Sequence, residues 1–111
     1  MAEDFIPVIS TPELGPGDVR EVSAHGRAVG VTNVGQTYYA FDASCPVDGT
    51  NLARSGVLRG DVIKCPRDDA EFDVRTGERL DSEDAGLNRY AIRVEENQVK
   101  VGPPLGEPPA S

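Results

Sequence analysis

Two cysteines carry the chemistry this chain can offer. Cys45-Pro46-Val47-Asp48 and Cys65-Pro66-Arg67-Asp68 spell the same C-P-x-D pattern twenty residues apart. A thiolate is a soft ligand for zinc or iron and also a redox nucleophile. Proline after each cysteine restrains the backbone just beyond the sulfur. If the two loops meet, Cys45, Cys65, Asp48 and Asp68 together make a two-sulfur, two-carboxylate set within reach of zinc. Set against that reading, loop aspartates are ordinarily solvated surface charges. Asp68, Asp69 and Glu71 form an acidic run of the kind used in acid–base work. No accompanying nucleophile or pocket is visible, so a solvated loop is the simpler reading. The single histidine, His25, stands beside Gly26 in a turn-type sequence far from both cysteines, and no Ser-His-Asp or Cys-His set can be assembled around it.

The surrounding sequence is acidic and small. Eleven basic and nineteen acidic side chains in 111 residues leave a net charge of −8. That length suits one domain. Such a charge repels phosphate backbones, so nucleic acid is a poor partner and a basic protein face a good one. No apolar run approaches the roughly 18 residues of a spanning helix, which argues against a membrane segment. The start, Met1-Ala2-Glu3-Asp4, is acidic where a signal peptide would be basic, and a cytoplasmic location is expected. There two cysteines point to metal or redox chemistry rather than a structural disulfide.

Twelve Gly and nine Pro punctuate short runs rich in Val, Tyr, Phe and Ile, which predicts an all-β fold. Strands are expected over residues 4–9, 19–24, 27–34 and 37–41, with His25-Gly26 and Gly35-Gln36 as tight turns, giving a meander. In the third strand Val29, Val31 and Asn33 face one way and Ala28, Gly30 and Thr32 the other, while Tyr39 and Phe41 share a face of the fourth. Residues 42–55 lose periodicity in the first cysteine loop, with one helical turn possible over 50–54. Strands 61–64 and 71–74 flank the second loop, and Arg75-Thr76-Gly77-Glu78 reads as a turn. A hairpin over 88–94 and 98–101 turns at Glu95-Glu96-Asn97. One domain over 1–102 then gives way to a Pro-rich tail, 103–111, expected to be disordered.

From about Phe5 to Val101 the chain resembles the Rieske-type [2Fe-2S] ferredoxins. The family pattern is C-P-H, a G-x-x-L loop, then C-P-x-H-G-x-x-F-D and a T-G turn. Here it reads Cys45-Pro46-Val47, Gly49-Thr50-Asn51-Leu52, then Cys65-Pro66-Arg67-Asp68-Asp69-Ala70-Glu71-Phe72-Asp73 and Thr76-Gly77. Tyr39-Ala40-Phe41 and the stretch from Leu87 to Tyr90 also fit. The resemblance implies an antiparallel β sandwich with a small two-loop, cluster-binding-type subdomain. It implies a cluster whose one iron takes two cysteines, here Cys45 and Cys65, and whose other takes two histidines. Those histidine positions are Val47, which has no lone pair, and Asp68, a hard anionic donor in place of imidazole. The glycine after the second is Asp69.

The resemblance therefore implies a fold of the electron-transfer family without the full ligand set. The expected protein is cluster-free and non-catalytic, an accessory or interaction domain of a redox system, as in the small subunit of NADH-dependent nitrite reductase. Two other readings stand beside it. One is a one-electron carrier with an unusually ligated [2Fe-2S] cluster, natural or engineered, serving an oxygenase-type partner. The other is a small zinc or thiol-redox domain using Cys45 and Cys65. In the family both sulfurs bind one iron, so without iron Cys45 and Cys65 become a disulfide candidate. The partner implied is a reductase or oxygenase with a basic docking face.

Overall fold

In a computed structural model, residues 5–46, 49–67, 69–81 and 86–105 are described. They form two antiparallel sheets. The strands are β1 (Ile6–Ser10), β2 (Val19–Ala24), β3 (Arg27–Val34), β4 (Thr37–Asp42), β5 (Val57–Arg59), β6 (Val62–Lys64), β7 (Glu71–Asp73), β8 (Arg89–Glu95) and β9 (Gln98–Pro104). A six-stranded sheet runs β1-β9-β8-β4-β3-β2, and its edge strands β1 and β2 come into contact, so it nearly closes on itself. In the second sheet, β5-β6-β7, the first two strands lie between the two cysteine loops and β7 follows the second loop. A single turn of helix, α1 (Leu52–Ser55), lies before it.

Turn chemistry sets the meander. His25 and Gly26 have φ of 54° and 74°, Gly35 and Gln36 57° and 76°, and Glu96 and Asn97 54° and 66°. Two successive left-handed residues are the type I′ turn that matches strand twist. The predicted β2–β3–β4 meander is present, with β2 and β3 spanning the expected residues.

Alternation along β3 and β4 divides the interior in two. Val29, Val31 and Ala40 join Leu14, Tyr90 and Val101 in the core of the large sheet. Phe41 points the other way, into a second core with Cys45, Leu52, Ile63, Cys65, Ala70, Phe72, Val74 and Leu87, against which Tyr39 also packs. This second core joins the small sheet to the large one. Gly30, opposite Phe41 across β3 and β4, makes room for the aromatic ring: a Cβ at Gly30 would lie 2.7 Å from two of its carbons.

The structure departs from expectation at two places in the chain. β5 falls in a stretch left without a strand, and β9 runs through Pro104, with the Leu105 N–H donating to the Arg89 carbonyl at 2.9 Å. Pro103 and Pro104 are thus strand residues rather than tail. The last residue of β1 to pair with β9 is Ile6, opposite Val101, so beyond that point the missing proline N–H interrupts no ladder on that side.

Candidate functional site

The two cysteine loops are built alike. The Cys45 N–H donates to the Thr50 carbonyl at 2.8 Å, and the Gly49 N–H returns to the Cys45 carbonyl at 2.9 Å. The Cys65 N–H donates to the Ala70 carbonyl at 2.8 Å, and the Asp69 N–H to the Cys65 carbonyl at 2.9 Å. Each loop therefore closes on its own cysteine with the same i→i+5 and i+4→i bonds. The residue four beyond each cysteine is left-handed: Gly49 at φ 78° and Asp69 at φ 63°. Glycine adopts that conformation without strain, whereas Asp69 tolerates it as one of the few L residues that do.

Different elements brace each loop. The first leaves β4 and is held by Asn51, whose Oδ1 caps α1 by accepting the Arg54 N–H at 3.0 Å. The Asn51 amide donates to Glu21 on β2 at 2.9 Å, and the Arg54 guanidinium pairs with the same carboxylate. Asn51 first, then Arg54, holds the Glu21 carboxyl below the usual carboxylate range. The second loop follows β6 and returns into β7. Its far end is tied by the Thr76-Gly77 turn, where the Gly77 N–H donates to the Asp73 carbonyl and the Leu87 N–H to the Gly77 carbonyl. A Cβ on Gly77, at φ 81°, would strike the Leu87 carbonyl at 2.4 Å. The Asp73 carboxylate accepts three bonds from Arg75, one from its backbone N–H and two from its guanidinium, which also pairs with Asp61 at 3.0 Å. Burial opposes ionisation of Asp73, and the Arg75 contacts outweigh it, so its carboxyl sits below the usual range.

Both thiols are buried, Cys45 at 2 % exposure and Cys65 at 0 %, in the same core. A hollow of about 160 Å³ opens beside Cys45, lined by Asp42, Ser44, Pro46, Gly86, Leu87 and Asn88. Val47, Asp48 and Asp68 lie outside the described residues. His25 is where the sequence puts it, exposed in the β2–β3 turn, with Nε2 3.3 Å from the Val101 carbonyl. Asp69 is exposed and meets Lys64 at 3.7 Å, and the Glu71 N–H donates to Asp81. Among the described residues no three His, Cys, Asp or Glu side chains gather closely enough to hold a metal. The Glu21–Asn51–Arg54 brace was not foreseen. Its one local signal is Asn51, a capping residue directly before Leu-Ala-Arg-Ser.

The sequence pattern of the Rieske-like [2Fe-2S] domain matches residues 4–102. The chain belongs to that family. Its relatives include the biphenyl dioxygenase ferredoxin subunit of Pseudomonas sp. (strain KKS102), 32% identical over 98 residues, covering 87% of this chain and 90% of that protein. Ferredoxin CarAc of Metapseudomonas resinovorans is 32% identical over 103 residues, 91% of this chain and 95% of its own. Among solved structures, one in the complex of reduced oxygenase and oxidized ferredoxin of carbazole 1,9a-dioxygenase superposes with a TM-score of 0.83. It is 29% identical and is covered completely by 99% of this chain. The relatives matched over nearly their whole length are electron-carrier components rather than the catalytic ones.

The family's cofactor needs two imidazole nitrogens opposite two thiolates. Cys45 and Cys65 are the thiols this chain can offer, the positions that the resemblance assigns to imidazole are Val47 and Asp68, and its one histidine lies in the β2–β3 turn. The residues present do not fit a Rieske cluster. The described residues make two self-closed loops, a shared apolar core and a subdomain braced to the large sheet.

Proposed function

We propose that this chain is a cluster-free member of the Rieske ferredoxin branch, working as an accessory or interaction domain in an oxygenase-type redox system. One observation carries the reading. Both cysteines, the prolines after them and the backbone bonds that close each loop are present, while Val47, Asp68 and Asp69 stand where the family pattern has two histidines and a glycine. The complex of oxygenase with ferredoxin seen for carbazole 1,9a-dioxygenase supports a partner of that kind. The net charge of −8 and the exposed Asp69 at the loop end suit a basic docking face on it. No described helix is long and apolar enough to cross a membrane.

The test is a visible spectrum with iron and zinc content on freshly purified protein, before and after Val47→His with Asp68→His. The expected result is a colourless, metal-free chain. Stoichiometric iron with charge-transfer bands in the unmodified protein would overturn the reading in favour of an unusually ligated carrier, and stoichiometric zinc in favour of a zinc domain. The double variant should take up iron and sulfide on reconstitution, because it restores the two imidazoles opposite Cys45 and Cys65. Asp69→Gly should help, since glycine at φ 63° is unstrained and removes a charge beside the site.

A further inference from the structure

Among the described residues, the small sheet packs one face against the cysteine core and leaves Val57, Arg59 and Lys64 of the other exposed. Leu58, Ile63 and Phe72 stand in register across β5, β6 and β7 and turn inward to the cysteine core. Alternation puts Val57, Lys64 and Glu71 in one row on the opposite face, with Arg59, Val62 and the buried, Arg75-paired Asp73 in the next. With Pro66 of the second loop, these residues line a cleft of about 380 Å³. Val57 is 49% exposed, so the aliphatic floor is open to solvent.

The charge here runs against the rest of the molecule. The cleft is lined by Arg59 and Lys64 against Glu71, a surplus of one positive charge in a chain of net −8. Arg54 is engaged by Glu21, and Asp61 by Arg75. Lys64 meets only the exposed Asp69 at 3.7 Å among the described residues, a solvated pair of little energy that yields to a better-placed carboxylate. No carboxylate among the described residues pairs with Arg59. An aliphatic floor flanked by two available cations is neither a core nor an ordinary solvated surface. It has the make-up of a docking groove.

We propose that this cleft docks an acidic, valine- or leucine-containing segment of a partner protein. Its carboxylates meet Arg59 and Lys64 while an aliphatic side chain rests on Val57, Val62 and Pro66. Glu71 repels a further acid at the β7 side and so fixes the register of the segment. The contact goes beyond the accessory role proposed above, because its sign is opposite to that of the acidic loop end. Two adjacent patches of opposite charge orient a partner better than either alone. Since Pro66 directly follows Cys65, the occupant also borders the second cysteine loop.

The test titrates the ¹⁵N-labelled full chain with two blocked peptides, one alternating Glu with Val and one alternating Lys with Val. The Glu peptide should shift the amide signals of Val57, Arg59, Val62 and Lys64, and the Lys peptide should not. Arg59→Glu with Lys64→Glu should weaken the Glu peptide at least tenfold while leaving signals of the large sheet in place. Both side chains lie on the outer face, so the variant should fold, and Arg59→Gln alone gives a milder second reading, a loss of roughly threefold. Equal response to both peptides, shifts elsewhere, or unchanged affinity in the double variant would overturn the proposal. So would the same shifts produced by inorganic phosphate alone, which marks a plain anion site, or by raising protein concentration, which marks self-association. None of these outcomes depends on metal content, so failure here is separable from failure of the cluster-free reading.

Discussion

The contact between Gly30 and Phe41 links the large sheet to the cysteine core, and its strength can be worked out. In Gly30→Ala the new methyl group would lie 2.7 Å from Cε2 and Cζ of Phe41 and 3.3 Å from Cε1. Phe41 is completely buried and packs in the core that holds both cysteines, so its ring has nowhere to retreat. Overpacking of this kind costs about 1–3 kcal/mol. Alanine returns roughly 0.5–1 kcal/mol by stiffening the unfolded chain and favouring the strand. The net expectation is a loss of about 1–2 kcal/mol in urea unfolding at an unchanged m-value. Phe41→Leu alone should lose about 1–3 kcal/mol of burial and packing. Together the two changes should cost less than their sum by about 1 kcal/mol, because the shortened side chain removes the clash. Strict additivity of the pair, or a Gly30→Ala variant as stable as the parent, would refute the contact as drawn.

Two further predictions follow from the site. On air oxidation or treatment with oxidised glutathione, Cys45 and Cys65 should lose two thiols and form one intramolecular disulfide. Closing a loop from 45 to 65 should stabilise the chain by roughly 3 kcal/mol if unstrained, and two titratable thiols after full oxidation would count against it. Acid should loosen the second loop through Asp73. Its folded pKa is below the unfolded one, so its contribution is complete above about pH 4 and fades as pH falls through the lower folded value. Asp73→Asn should therefore lower the urea midpoint at pH 7 and flatten the acid limb of the stability curve, and an equal loss at pH 7 and pH 2.5 would exclude the mechanism.

Local signals account for what was legible. β2 and β3 carry enough alternating residues to declare a period of two, and Gly26, Gly35 and Asn97 mark left-handed turns. β5 has three residues, one of them inward, between Gly56 and Gly60, too few to display a period. It exists because β6 pairs with it. Polar burial was also hidden. Thr32 and Asn33 are buried because Thr32 donates to the Asp18 carbonyl, and Asn33 donates to Leu14 while accepting the Gln36 N–H. Gln36 is in the adjacent turn, but Asp18 and Leu14 sit in a loop before β2 that only the tertiary fold brings beside β3. At the site, Cys45 and Cys65 were found from their repeated motif. Glu21, thirty residues ahead of its partner Asn51, gives no sign of its role in one dimension.

Why would the loops survive without the metal they were shaped around? Their hydrogen bonds answer part of the question. Each loop closes through two backbone bonds of its own, at 2.8 and 2.9 Å, that need no ion. Each such bond contributes about 1 kcal/mol net. The thiols sit at 2 % and 0 % exposure among Phe41, Leu52, Ile63 and Phe72, where cysteine also serves as a small apolar filler. On the cluster-free reading proposed above, Val47 and Asp68 withhold the second iron's ligands without removing what folds the subdomain. Replacing either cysteine by serine separates the two roles. Exchanging a buried thiol for the more polar hydroxyl would lower stability by about 1–3 kcal/mol in a chain that carries no cluster, whereas a metal-dependent subdomain would unfold outright.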